Sequence, residues 1–132
     1  MDDQKRVDLN GRRLFVGIPC YDGKVNVKTA FSLAQFMPMA AQLGIQVYLS
    51  DLSNCSLITM ARNSLVAEFL KTDATELLFI DSDVVVQPDD ILRLMAQSGD
   101  KDITAGAYPR PSNAHARVRI GSPPQAESAP AV

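Results

Sequence analysis

Two aspartates separated by a single serine carry the clearest chemical signal in the sequence. Asp81-Ser82-Asp83 directly follows LLFI (residues 77–80), an apolar run typical of a buried strand. Two carboxylates this close together repel each other unless a positive group lies beside them. Because Mg²⁺ and Mn²⁺ prefer carboxylate oxygens and often share them with substrate phosphates, we expect Asp81 and Asp83 to hold one of these cations. The alternative is that both aspartates cap the turn after the strand.

A second candidate is Arg62, which lies in an otherwise apolar helical column. It is four residues after Ile58 and four before Val66, positions that share one face of a helix. A guanidinium near a buried face needs an acidic partner, and a nucleotide phosphate or a neighbouring aspartate would supply one. The alternative is a solvated arginine at the rim of the helix. Asn63, beside it, is expected to hydrogen-bond to a loop that follows a strand.

Polar side chains also follow the first two predicted strands. Tyr21 and Asp22 come just after the first strand, where they could stack on a base and accept its imide proton; the alternative is ordinary turn chemistry. Asp51 follows the second strand and is either a ligand contact or a cap of the next helix. The sequence contains neither a GxGxxG pattern nor a P-loop pattern. We therefore expect phosphates to be bound through a metal instead of through a glycine-rich loop.

The elements that must position these residues alternate between strands and helices. We predict strands at residues 14–18, 45–49, 76–80 and 102–105, and helices at residues 27–43, 55–71 and 88–99. This β-α-β-α-β-α-β order predicts an α/β fold, a three-layer sandwich with a mostly parallel, Rossmann-like sheet and helices on both faces. Ligands bind beyond the carboxyl ends of the strands in such sheets. Aspartates follow three of the four predicted strands, which places the candidate residues at that edge.

The apolar pattern also predicts which helix faces are buried. The first helix is expected to bury one side, made of Phe31, Ala34, Pro38 and Ala41. The second is expected to bury a stripe that recurs every four residues, Leu57, Ala61, Leu65 and Phe69. We expect Ser53 or Asn54 to cap the second helix, and Pro38 to kink or restart the first.

Composition divides the chain near Tyr108. A length of 132 residues fits one domain, which we place at residues 14–108 after an N-terminal extension at residues 1–13. Residues 109–132 contain five of the eight prolines and few strong apolar side chains, so we expect a disordered Pro/Ala/Ser-rich tail. Residues 1–108 carry ten basic and fourteen acidic side chains, and are therefore more acidic than the whole chain.

Charge and composition exclude several classes of protein. A net charge of -2 and a pI of about 5.2 are unlike the basic surface of a nucleic-acid binder. No apolar run approaches the roughly 20 residues that span a bilayer, and no signal peptide is evident at the start. Two cysteines and one histidine do not supply the ligand pattern of a zinc site. We expect a cytoplasmic protein with reduced thiols.

Four motifs in order resemble the nucleotide-binding half of a GT-A glycosyltransferase, close to the large inverting family 2 group. The motifs are Gly17-Ile18-Pro19-Cys20-Tyr21, Ala61-Arg62-Asn63, Leu77-Leu78-Phe79-Ile80-Asp81-Ser82-Asp83 and Pro88-Asp89-Asp90-Ile91-Leu92. The resemblance covers residues 14–108, and it implies that the chain binds a nucleotide-diphospho-sugar, linked to UDP or GDP.

The resemblance also implies roles for individual residues. Pro19, Tyr21 and Asp51 would line the base pocket, and Arg62 would approach the base or the diphosphate. Asp81 would meet the ribose and the metal. Asp83 would hold the metal against the diphosphate, and the cation would stabilise the diphosphate as it departs from the anomeric carbon.

The sequence departs from the family after Tyr108. The later half of a GT-A enzyme supplies the acceptor site and the catalytic base, and no such half is recognisable here. The expectation is therefore a glycosyltransferase-type domain that is truncated, divergent or completed by a partner chain. The alternative is a non-catalytic nucleotide-sugar-binding module acting in an oligomer, whose exposed sheet edge would favour association. A receiver-like phosphotransfer domain ranks below both, because the acidic pair expected after its first strand is missing.

Overall fold

The computed structural model describes residues 7–106 of the 132-residue chain. In chain order the elements are β1 (Arg13–Cys20), α1 (Val27–Gln42), β2 (Gln46–Ser53), α2 (Ile58–Leu70), β3 (Glu76–Phe79) and α3 (Pro88–Gln97). Strands and helices alternate as predicted, and the strands form one parallel sheet. The predicted tail at residues 109–132 lies outside the described residues, as do residues 1–6 of the predicted N-terminal extension.

The sheet has the strand order β2-β1-β3. β1 pairs in parallel with β2 along its whole length, from Arg13 opposite Gln46 to Cys20 opposite Ser53. It pairs with β3 over a shorter stretch that ends with Gly17 opposite Phe79. The chain crosses from β1 to β2 through α1 and returns past β1 to β3 through α2. Right-handed crossovers in opposite directions place these two helices on opposite faces of the sheet.

The core lies on both faces of β1, because successive side chains of a strand point to opposite faces. On one face, Leu14, Val16 and Ile18 belong to a buried cluster with side chains of two helices. These are Leu33, Phe36 and Ala40 of α1, and Ile91 and Met95 of α3. On the other face Phe15 meets the ring of Phe69 edge-on, with centroids 5.8 Å apart. β1 is therefore the central strand, and α1 and α3 share the face opposite α2.

α1 buries a different face from the one predicted. Its buried residues are Thr29, Ser32, Leu33, Phe36 and Ala40, whereas Phe31, Ala34, Pro38 and Ala41 are exposed. Apolar residues occur on almost every side of this helix, so periodicity could not select the buried one. The helix also continues through Pro38 without interruption.

Among the described residues no helix is both long and apolar enough to cross a membrane.

The boundary between β2 and α2 also differs from the prediction. β2 continues to Ser53, since pairing with β1 holds the chain extended, and Asp51 lies inside the strand. Asn54 then adopts a left-handed conformation with φ of 64°. α2 begins only at Ile58, after Leu57, and no side chain caps it. Neither Ser53 nor Asn54 is therefore the cap. Ala61 and Leu65 are buried as expected, whereas Leu57 is 58% exposed.

The fourth strand predicted at residues 102–105 does not form among the described residues. This segment lies beside β3 but is separated from it by a cavity that both of them line. Without a ladder partner its backbone is not held as a strand, and Ile103 is 87% exposed. The described sheet accordingly has three strands, with β2 and β3 at its two edges.

Candidate functional site

The loops beyond the carboxyl ends of the three strands are joined by backbone hydrogen bonds. Asn54, after β2, donates its amide to the carbonyl of Tyr21, after β1, at 3.0 Å. Asn26, also after β1, donates to the carbonyl of Ser82, after β3, at 3.0 Å. We call this region the carboxyl edge: residues 21–26, 51–57 and 80–87. These bonds hold the candidate residues of all three loops on one side of the molecule.

Arg62 and Asp81 form an ion pair at the carboxyl edge. α2 runs opposite to the strands, so its first turns lie beside the ends of β1 and β3. From there the Arg62 Nη2 donates to Asp81 Oδ1 at 3.1 Å. The Arg62 guanidinium carbon is also 5.7 Å from the centre of the Phe79 ring, within cation–π range. The side chains remain 45% and 27% exposed, which leaves the arginine accessible to an anion from solvent.

Asp81, Ser82 and Asp83 form a tight turn after β3. The amide of Val84 donates to the carbonyl of Asp81 at 3.1 Å and closes the turn. The hydroxyl of Thr29, on α1, donates to the carbonyl of Val84 and fixes the position of the turn against the first helix. Asp81 is partly buried and Asp83 is exposed. The two carboxylates therefore differ in environment, with Asp83 open to solvent.

The donor groups of this turn fit a cation that is shared with a ligand. Residues 7–106 contain no group of three or more His, Cys, Asp or Glu side chains placed to enclose a metal. A magnesium-type ion bound by one or two carboxylates takes its remaining ligands from water and substrate phosphates. Asp81 and Asp83 match that kind of site, and they do not match a closed structural metal site.

Tyr21 and Asp22 lie in the turn after β1. The Tyr21 side chain is 67% exposed. The Asp22 carboxylate accepts the backbone amide of Lys24 at 3.1 Å, and Gly23 between them has φ of 71°. The Asp22 carboxylate thus stabilises its own turn, which was the alternative to contact with a base. The exposed ring of Tyr21 is accessible for stacking on a ligand.

Pro19 and Asp51 lie in neighbouring strands, near the ends of β1 and β2. Pro19 is buried and pairs in register with Leu52. Asp51 is exposed and accepts a hydrogen bond from the Ser53 hydroxyl at 2.9 Å.

Burial raises the pKa of the Cys20 thiol, at the end of β1, and the negative charges of Asp51 and Asp22 raise it further. Both carboxylates are therefore close enough to act on the same thiol.

Asn63 is set apart from these groups. It follows Arg62 on α2 and is exposed. No hydrogen bond joins its side chain to a strand-end loop within residues 7–106. The hydrogen bond expected between Asn63 and a loop after a strand is therefore not formed among the described residues.

Two cavities open beside the carboxyl edge. One, of about 740 Å³, extends along β3 and has Arg62 and Asp81 among its lining residues. The other, of about 480 Å³, lies between α1 and β2 and includes Asp51 beside apolar side chains. Asp51 and Asp81 thus border concave surfaces, where ligands usually bind, whereas Asp83 lines neither cavity.

Three contributors to the site were not identified from the sequence. Phe79 supplies the ring beneath Arg62, but in sequence it is indistinguishable from a core residue of β3. Asn26 and Thr29 position the turn through bonds to Ser82 and Val84. The only signal for Thr29 is that a hydroxyl lies on the buried face of α1.

No family model matches the chain, and neither a curated protein nor a solved structure matches it. Its function is therefore inferred from the geometry of the carboxyl edge.

Proposed function

We propose that the chain binds a nucleotide-diphospho-sugar through a divalent cation held at Asp81 and Asp83, as a domain of the glycosyltransferase type. The observation that carries this proposal is the Arg62–Asp81 ion pair beside the exposed Asp83. A metal-bound diphosphate presents both a cation and an anion. At the end of β3, the two carboxylates would face the metal and the Arg62 guanidinium would face the phosphate oxygens.

Each group at the edge has a distinct task in this proposal. Asp83 would hold Mn²⁺ or Mg²⁺, and Asp81 would contact the same ion and the ribose. Arg62, whose planar guanidinium suits phosphate oxygens, would approach the diphosphate while Phe79 supports it from below. The bound cation would stabilise negative charge on a departing diphosphate.

The base would lie farther along the edge, toward β1 and β2. The exposed ring of Tyr21 offers a stacking surface, and the Asp51 carboxylate is an acceptor at the border of the cavity between α1 and β2. A uracil or guanine ring has an imide proton that such an acceptor would bind. Pro19 would shape the buried side of this pocket.

A second candidate is a binding module that does not catalyse transfer. Two glutamates that could serve as a base lie away from the carboxyl edge: Glu76 begins β3 and is paired with Arg12, and Glu68 is near the end of α2 and is paired with Lys71. A catalytic base must lie within hydrogen-bond reach of the acceptor hydroxyl. At the carboxyl edge, Asp51, Asp81 and Asp83 are assigned to the ligand and the metal, and Asp22 accepts the amide of Lys24 in its own turn.

Nucleotide binding with and without metal tests the proposal. UDP and GDP are titrated into the 132-residue chain with and without Mn²⁺, by calorimetry and by thermal shift. At one hundred times its dissociation constant, a ligand stabilises the fold by about 2.7 kcal/mol. We expect Mn²⁺-dependent binding of one nucleotide, weakened at least about tenfold by Asp83→Asn, which loses one unit of charge at the metal.

Asp100→Asn is the matched control, because Asp100 is highly exposed and follows α3, away from the strand-end loops. It should leave nucleotide affinity unchanged. Equal affinity in the parent and in Asp83→Asn, with Mn²⁺ present, would exclude the proposed metal site. Transfer of a radiolabelled sugar then separates the two candidates, since the binding module predicts affinity without turnover.

A further inference from the structure

β3 lies at the edge of the described sheet although its sequence resembles that of a central strand. Residues 77–80 are continuously apolar, as in strands covered on both sides, yet all four residues of β3 are only partly buried. Ile80, just past β3, donates its amide to Gly17 of β1 at 3.1 Å. Because amides alternate in direction along a strand, those of Leu77 and Phe79 point away from β1. The outer side of β3 therefore presents backbone amides that another strand could pair.

A groove extends along that outer side. We call it the β3 groove, and its volume is about 740 Å³. It lies between β3, the α3 side chains Ile91, Leu94 and Met95, and residues 101–106. The Thr104 hydroxyl, which lies in this far wall, is buried and has no hydrogen-bond partner in the described part of the chain. The groove therefore combines an apolar surface with polar groups that an added strand could pair.

The sequence after the described residues contains one segment with the pattern of a strand. In residues 116–120, Ala116, Val118 and Ile120 alternate with Arg117 and Arg119, the period of two expected when one face is buried. Gly106, the last described residue, lines the β3 groove. The nine residues between Gly106 and Ala116 can span about 30 Å, whereas β3 is only about 13 Å long. The segment can therefore return to the groove.

Charge also favours this segment as the occupant. Three carboxylates line the β3 groove: Glu76 and Asp81 are paired with Arg12 and Arg62, whereas Asp102 forms no ion pair within residues 7–106. Residues 1–108 as a whole carry ten basic and fourteen acidic side chains. Arg117 and Arg119 would offset part of this acidic excess, and opposite charges across a strand pair are favourable.

We propose that residues 116–120 occupy the β3 groove as an added strand, with Val118 and Ile120 packed against Leu94 and Met95 of α3. The sheet then gains its fourth strand from this segment and not from residues 102–105. Five residues of the predicted tail thereby become part of the fold. Arg62 and Asp81, which the proposed function assigns to the ligand, also line this groove. The added strand would pair with Leu77 and Phe79 instead, so the proposal does not depend on nucleotide binding.

Hydrogen exchange on the 132-residue chain tests the backbone pairing. Val118→Asp/Ile120→Asp introduces two charges on the buried side of the segment. We expect the amides of Leu77 and Phe79 to exchange at least about tenfold faster in this variant than in the parent. Ala126→Asp/Ala129→Asp adds the same charge outside the segment and should leave both amides protected. Equal exchange of these amides in the parent and in both variants would overturn the proposal.

Proton NOEs in the unaltered chain provide the second measurement, which does not depend on how a variant folds. Methyl groups of Val118 or Ile120 should show NOEs to Leu94 or Met95. Absence of these NOEs would overturn the proposal even if Val118→Asp/Ile120→Asp changed exchange throughout the chain. A mixture of labelled and unlabelled chains identifies the copy that supplies the segment, and NOEs found only between copies would replace the intrachain strand with an exchanged one.

Discussion

Two arginine–carboxylate pairs lie at opposite ends of the parallel strands, and they differ in how many of the arginine's donors are hydrogen-bonded. Before β1, Arg12 donates to both carboxylate oxygens of Glu76, with Nε at 2.8 Å, and also to the carbonyl of Met95 and the hydroxyl of Ser98. At the carboxyl edge, Arg62 donates to Asp81 and lies over one ring. Arg12 and Glu76 are 21% and 23% exposed, against 45% for Arg62.

The two arginines also differ in where their donor groups are used. Arg12 joins β3 to the end of α3, so its donors are used inside the protein and its hydrogen bond with Glu76 raises the pKa of the arginine. Arg62 keeps donor groups accessible to solvent. An arginine–carboxylate pair is thus hydrogen-bonded inside the protein where it is enclosed, and it keeps exposed donors where it is open.

The largest effect should come from breaking the enclosed pair. Arg12→Gln leaves the Glu76 carboxylate partly buried without its partner, and we expect a loss of about 2–3 kcal/mol in the free energy of unfolding. In a domain of this size the melting temperature should fall by roughly 8–12 °C. Arg62→Gln, the same substitution at the open edge, should cost less than about 1 kcal/mol. Equal losses in the two variants would remove the distinction between the edges.

The turn between α1 and β2 provides a smaller test of the edge near Arg12. Gly44 has φ of +74°, and its carbonyl accepts the amide of Gly11 at 2.9 Å. Gly44→Ala should destabilise the fold by about 1 kcal/mol, because a side chain disfavours this conformation. A Cβ there would also clash with Asn10 Oδ1, which would have to move. Gly99→Ala is the control, since a Cβ at Gly99 would meet no atom within 4 Å. Chemical denaturation of both variants gives the comparison.

The smallest effect concerns the open edge and the thiol of Cys20. Asp51 and Asp22 raise the pKa of this thiol less than burial does. Asp51→Asn removes one negative charge, so the pKa should fall and iodoacetamide should modify Cys20 modestly faster near pH 8. Mass spectrometry measures the rate against Cys55 in the same chain. An unchanged rate would mean that Asp51 lies farther from Cys20 in solution than in this structure.

Much of the local structure was predictable from the sequence. The apolar run before Asp81 predicted a strand, and Pro88 with two following aspartates predicted the start of α3, where Gln87 and Asp90 form a capping box. Gly44 directly follows the helix predicted at residues 27–43, a position typical of glycine, and its positive φ agrees with that position. These features depend on a few neighbouring residues, so a short stretch of sequence determines them.

The buried face of α1 could not be predicted in the same way. Phe31 is 63% exposed and Phe36 is fully buried, although both are aromatic residues of one helix. The choice between them depends on where β1 and α3 lie relative to the helix. The end of β2 at Ser53 likewise depends on the length of β1, which supplies its hydrogen-bond partners.

The candidate site divides along the same line. The sequence by itself determined the alternation of elements and hence the edge at which Asp51, Asp81 and Asp83 lie, because parallel strands connected by helices all end on one side. Only the tertiary structure decided that Arg62 pairs with Asp81 over Phe79, and that Arg12 is enclosed by Glu76 and Ser98. Those contacts join residues 17 to 86 positions apart, and they form only when packing of the core fixes the helices against the sheet.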